Sequence, residues 1–79
     1  MYRVWIEEEK APDGVVEIEY ENLDEAKAAL KVLEILAWNR SPWLREMHPN
    51  AGPHEIAKEY VLCGILEKID GKWVDYKAI

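Results

Sequence analysis

Two turn signals, one toward each end of the chain, dictate most of what this sequence can fold into. Asp70 and Gly71 separate Ile65 to Ile69 from Lys72 to Lys77. A two-residue hairpin turn needs positive backbone angles, which Asp and Gly tolerate. The register that follows sets Ile65 opposite Tyr76, Glu67 opposite Val74 and Lys68 opposite Trp73. The last pair brings an ammonium over an indole, an interaction worth about 0.5–1 kcal/mol at an exposed site. Near the N-terminus Pro12, Asp13 and Gly14 supply the other turn. On one side of it Tyr2, Val4 and Ile6 alternate with Arg3, Trp5 and Glu7; on the other Val16, Ile18 and Tyr20 alternate with Glu17, Glu19 and Glu21. A period of two marks half-buried strands. Pairing Ile6 with Val16 and Val4 with Ile18 puts Arg3 against Glu19 and Glu7 against Val15, whereas a slip of two residues opposes Glu7 to Glu17, a like-charge pair.

Between the hairpins lies a helical stretch. Asn22 precedes Leu23, Asp24 and Glu25, so a capping side chain and two acids meet the positive end of the helix dipole. A helix is predicted over Leu23 to Trp38, with Leu23, Ala26, Leu30, Leu33 and Ala37 as its sheet-facing stripe and Lys27, Lys31 and Glu34 as its wet face. Ala28, Val32 and Ile35 fall on a flank that a single sheet does not reach, and they are the candidate self-association residues. Ser41 before Pro42 is a second start signal, predicting a short extra helix at 42–47 that ends at His48 and Pro49. Asn50, Ala51, Gly52 and Pro53 form a loop. From His54 to Gly64 two patterns compete: Ile56, Tyr60 and Cys63 fit a helix, and the unbroken run from Tyr60 to Leu66 fits a strand with a bulge at Gly64. The strand is the reading preferred from sequence. The fold class is then α+β, a single domain over 1–79, with two antiparallel hairpins flanking one long helix (ββαββ).

Seventy-nine residues are too few for barrel or doubly wound enzyme folds. One core of this size leaves roughly 3–5 kcal/mol of net stability, so such chains usually recruit disulfides, a metal or a partner subunit. The single cysteine, Cys63, cannot form an internal disulfide. No apolar h-region opens the chain, and its longest uncharged apolar run, Tyr60 to Leu66, is seven residues against the roughly 20 of a membrane span. A cytoplasmic location and no membrane contact are expected, so the Asn39, Arg40, Ser41 glycosylation triplet is read as chance.

The net charge of −6 is uneven: residues 1–25 carry nine acids against Arg3 and Lys10, and the rest of the chain is close to neutral. Direct nucleic-acid binding is disfavoured, since it relies on clustered Lys and Arg. Catalysis is also disfavoured. His48, His54 and Cys63 are one ligand short of a structural zinc site and loosely spaced, Cys63 lies among apolar neighbours that suit an inert thiol, and no Gly-rich phosphate loop exists because Gly14, Gly52, Gly64 and Gly71 stand alone. No catalytic residue, metal or cofactor is therefore expected.

Two candidate sites remain. Glu7, Glu9, Glu17, Glu19 and Glu21 share an outer sheet face in the predicted hairpin, a row that either solubilises the protein or imitates a phosphate backbone for a basic partner. Trp38, Arg40, Trp43 and Arg45 cluster at the helix exit, and Trp and Arg are enriched at interface hot spots; alternatively Trp43 and Leu44 fold back over Val32 and Ile35. All eight aromatic rings are Trp or Tyr, each with a polar handle suited to a half-wet surface. The leading expectation is a protein-interaction module, self-associating as a homo-oligomer. An acidic inhibitor of a nucleic-acid-binding protein, of the kind a mobile element carries, and a small-ligand binder lined by Trp and Tyr are the alternatives.

Overall fold

The computed structural model describes residues 1–77. It shows a small α+β domain in the order β1 (Tyr2–Glu7), β2 (Val15–Tyr20), α1 (Leu23–Arg40), α2 (Pro42–Met47), α3 (Pro53–Glu59), β3 (Cys63–Ile69) and β4 (Lys72–Asp75). The strands form one antiparallel sheet in the order β2-β1-β3-β4, with both N- and C-terminal hairpins in the predicted registers. Asp70 and Gly71 both have positive φ, at 51° and 78°, as the tight turn demands.

The two hairpins join through β1 and β3, where Val4 lies against Ile65 and Ile6 against Cys63. Those four side chains share the face that α1 covers, and with Ala26, Leu30, Ala37 and Ala57 they make the core. Asn22 Oδ1 accepts from the backbone N–H groups of Asp24 and Glu25, so the predicted cap starts α1 at Leu23, and the helix runs two residues past Trp38.

Three expectations need correction. Residues 53–59 are helix, not strand: Pro53 occupies the first turn, Gly52 O accepts the first helical hydrogen bond, and the strand begins only at Cys63. Val61, at φ 52°, makes the sharp reversal between them while Leu62 N–H donates to Ala57 O. The apolar run was misleading because its first residues close a helix and its last ones open a strand. Gly64 is not at a bulge either, since the β1–β3 register runs through it unbroken. A Cβ there would stand 3.0 Å from Nε1 of Trp5, so any larger residue would push on the indole lying across it. Glu34, assigned to the wet face, is buried, because α3 packs on that flank of α1. Helical periodicity marks the stripe toward the sheet but carries no information about a second helix arriving from elsewhere in the chain.

Candidate functional site

The two flanks of α1 have opposite fates. On one, α3 docks and His54 Nδ1 donates to Oε2 of Glu34. On the other, Val32, Ile35 and Leu36 stay exposed at 66, 50 and 39%, together with Ala28. Leu36 and Glu34 are two residues apart on α1, hence about 160° apart around the helix. With Glu34 turned toward α3 and β3, Leu36 is turned toward β2. That strand pairs through Val16 with Ile6 and through Ile18 with Val4, so its apolar side chains lie on the helix-bearing face, yet Val16 and Ile18 remain 43 and 47% exposed. The helix sits over β1 and β3, and the sheet extends past it. Trp43 and Leu44 do not fold back over Val32 and Ile35: Leu44 is buried elsewhere, and Trp43 is itself exposed.

The predicted Trp and Arg cluster divides. Arg40 and Trp43 line a groove of about 780 Å³ between the β1–β2 loop and the α1–α2 junction, whose other wall holds Glu7, Glu8 and Glu9. There Arg40 pairs with Glu8 at 3.2 Å. Trp38 and Arg45 instead stack on each other, the guanidinium carbon 4.9 Å from the indole centre, with Trp38 Nε1 and Arg45 Nε buried and unpartnered among the described residues.

The acidic row is shorter than the alternation implied. Glu9 follows the end of β1 and Glu21 follows the end of β2, so only Glu7, Glu17 and Glu19 belong to strands, and all five are exposed. Arg3 stands among them, 2.8 Å from Glu19 and 3.9 Å from Glu17, with its guanidinium 4.2 Å from the Trp73 ring centre. Lys68 also approaches that ring, at 5.8 Å, as predicted.

Sequence reasoning missed a pocket of about 360 Å³ at the junction of α1, α3 and the β3–β4 edge. Its walls include Leu30, Ile65, Trp5 and Tyr76, with Glu34 and His54 on one side and Cys63 beneath. Burial, with a smaller contribution from the nearby Glu34 charge, pushes the Cys63 thiol up to about 12. A thiol so rarely ionised at neutral pH is a poor nucleophile. His48 is engaged with the Tyr60 hydroxyl, remote from His54 in role, and among the described residues no group of three or more His, Cys, Asp or Glu converges on a metal position. No described helix is long and apolar enough to cross a membrane.

No protein-family model, curated protein or solved structure matches this chain.

Proposed function

We infer that this protein works by binding rather than by catalysis, as a small interaction module that self-associates through the open flank of α1. The observation that carries this is the set of exposed aliphatic side chains, Val32, Ile35 and Leu36 on the helix, with Val16 and Ile18 on the helix-bearing face of the sheet also exposed. Exposed aliphatic groups of this size on a 79-residue chain are a surface that water penalises. The natural complement of exposed aliphatic groups is another apolar surface, and a second copy supplies one. Two α1 helices packed antiparallel about Val32 and Ile35 bring the acidic first turn of one, with Asp24 and Glu25, toward the last turn of the other, with Arg40. Ala28 on the same flank lets the backbones approach closely.

Pairing through the free edge of β2 is the poorer route. Two-fold registers centred on Glu17, Ile18 or Glu19 set Glu17 or Glu19 beside an identical or equivalent acid, which destabilises the pair. A standard interface takes about 800 Å² from each partner, roughly one seventh of the 5541 Å² exposed here. Light scattering is expected to give twice the 9.2 kDa chain mass. Val32→Glu with Ile35→Glu is expected to give a monomer with unchanged circular dichroism. A native chain that stays monomeric at every concentration, or a double variant that stays dimeric, would overturn the proposal.

One observation favours a second reading. The groove that joins Glu7, Glu8 and Glu9 to Trp43 offers carboxylates beside an exposed indole, which suits a basic protein partner steered in by charge. Capture of such a partner that weakens with salt and with Glu7→Lys plus Glu9→Lys would favour it over self-association. In either case we place the protein in the cytoplasm, where a lone thiol stays reduced.

A further inference from the structure

We propose that the outer edge of β2 accepts an added strand from a partner protein, an extended segment in which lysine or arginine alternates with an aliphatic residue. The edge shares Val16 and Ile18 with the apolar surface described above, but it uses neither Val32 nor Ile35, on which self-association turns.

The backbone supplies the affinity. β2 is an edge strand of the described sheet, six residues long. Glu8 N–H donates to Gly14 O straight across the hairpin, so these two are a hydrogen-bonded pair, and bonded and non-bonded pairs alternate from there along the register. Val16, Ile18 and Tyr20 therefore turn their N–H and C=O groups to Ile6, Val4 and Tyr2. Val15, Glu17 and Glu19 turn theirs to the open edge. The same alternation holds on β1, where Glu7 N–H points the other way and donates to Leu62 O. An extended segment laid along β2 meets those outward donors and acceptors with its own, the bonding by which sheet edges take up peptides.

The side chains select which strand. Residues directly opposite in an antiparallel pair share a face, so the added strand meets Glu17 and Glu19 on the outer face and Val16 and Ile18 on the helix-bearing one. Beside β2 the outer face holds Glu7, Glu17 and Glu19 with Arg3 among them, 2.8 Å from Glu19 and 3.9 Å from Glu17. Three carboxylates around one guanidinium leave an excess of negative charge, which suits Lys or Arg in the added strand. On the other face Val16 and Ile18 are exposed, and Leu36 of α1 is turned toward them. They stand at the non-hydrogen-bonded positions of the new pair, where facing side chains come closest, so aliphatic residues are best buried there. Acids on an edge ordinarily deter pairing, and between two copies of this chain they do so because like charges meet. The same acids favour a basic strand, so the edge is closed to its own kind and open to a complementary one. A nucleic acid does not fit, because its phosphates meet carboxylates.

The test titrates the isotopically labelled full chain with three capped hexapeptides: alternating lysine and valine, alternating glutamate and valine, and a block isomer of the first with its lysines together and its valines together. The alternating lysine peptide is expected to slow hydrogen exchange at the amides of Val15, Glu17 and Glu19, the outward donors. It should bind about tenfold more tightly than either of the others. Glu17→Gln removes one charge and keeps the donor, and should weaken binding about threefold. Glu17→Pro also removes the outward N–H, which β1 does not use, and should weaken binding about fivefold further, as one lost hydrogen bond does. Circular dichroism checks that this variant keeps its fold, and exchange in the native chain tests the edge without it. The slowed amides should be the same in Val32→Glu with Ile35→Glu, which separates the edge from self-association. No slowing at Val15, Glu17 and Glu19 up to ~1 mM peptide, equal binding of the three peptides, Glu17→Pro binding as tightly as Glu17→Gln, or shifts confined to the groove of Glu8 and Trp43 would each overturn the proposal.

Discussion

The two flanks of α1 meet different neighbours. One receives α3, and there even a carboxylate is buried; the other receives nothing from the described chain, and there Val32 and Ile35 face water. Burial on a helix is therefore set by what arrives, not by how apolar the side chain is. A glutamate ends up inside because His54 satisfies one of its oxygens, and a valine ends up outside because it stands on the side of α1 away from the sheet, where no described element packs.

The largest contrast to test is thiol reactivity beneath the covered flank. With its thiol pushed from 9.0 up to about 12, Cys63 holds about a thousandfold less thiolate at pH 8 than an ordinary cysteine. Alkylation by iodoacetamide should be slower by at least that factor in the native protein and should become normal in urea. The sign for stability follows: the unfolded chain releases this proton first. The contribution is present in full below pH 9 and is lost as pH rises toward 12. Alkylation of the native protein at the free-thiol rate would show that the flank is not closed.

Next in size is the loss from a single truncation on either side. Ile56, 1% exposed on α3, should lose about 2–5 kcal/mol as Ile56→Ala in urea unfolding, through lost transfer energy and the cavity left behind. Val32→Ala, on the open flank, should change unfolding of the monomer by no more than about 0.5 kcal/mol. Comparable losses at the two sites at concentrations where the protein is monomeric would dissolve the distinction between flanks. Run where it self-associates, the same measurement sharpens it, because Val32→Ala should then cost more with rising concentration.

Two smaller effects concern the pocket on the covered side. Gly64→Ala forces a Cβ to 3.0 Å from Trp5, so the indole must move, and a loss of about 1–3 kcal/mol with altered tryptophan fluorescence is expected. Val61→Gly relieves a left-handed β-branched residue at the entropic cost of glycine, and a net gain of about 0.5–1 kcal/mol is expected by thermal denaturation. A loss there would mean that the Val61 side chain contributes more through its place at the pocket lip than its backbone strain removes.

The hairpins, their registers, the Asn22 cap and the Pro42 helix were legible because each depends on residues close in sequence: turn chemistry, alternation and capping act over two to six positions. Much of the candidate site was not. Glu34 and His54 are twenty residues apart, and nothing in the period of either segment announces that they meet. The exposed flank of Ala28, Val32 and Ile35 was visible as a surplus of apolar residues over what one sheet can cover, but not the open sheet face beside it. Glu9 and Glu21 were misplaced because alternation does not say where a strand stops.

Local pattern by itself thus determined the strands, their pairing within each hairpin, the long helix and its cap. Only tertiary structure decided that β1 and β3 join the hairpins, that α3 closes one flank of α1 and leaves the other bare, and that a buried carboxylate faces a pocket. The physical reason is range. Turns and caps are settled by backbone angles and hydrogen bonds among neighbours, whereas burial is settled by which distant surface comes to exclude water.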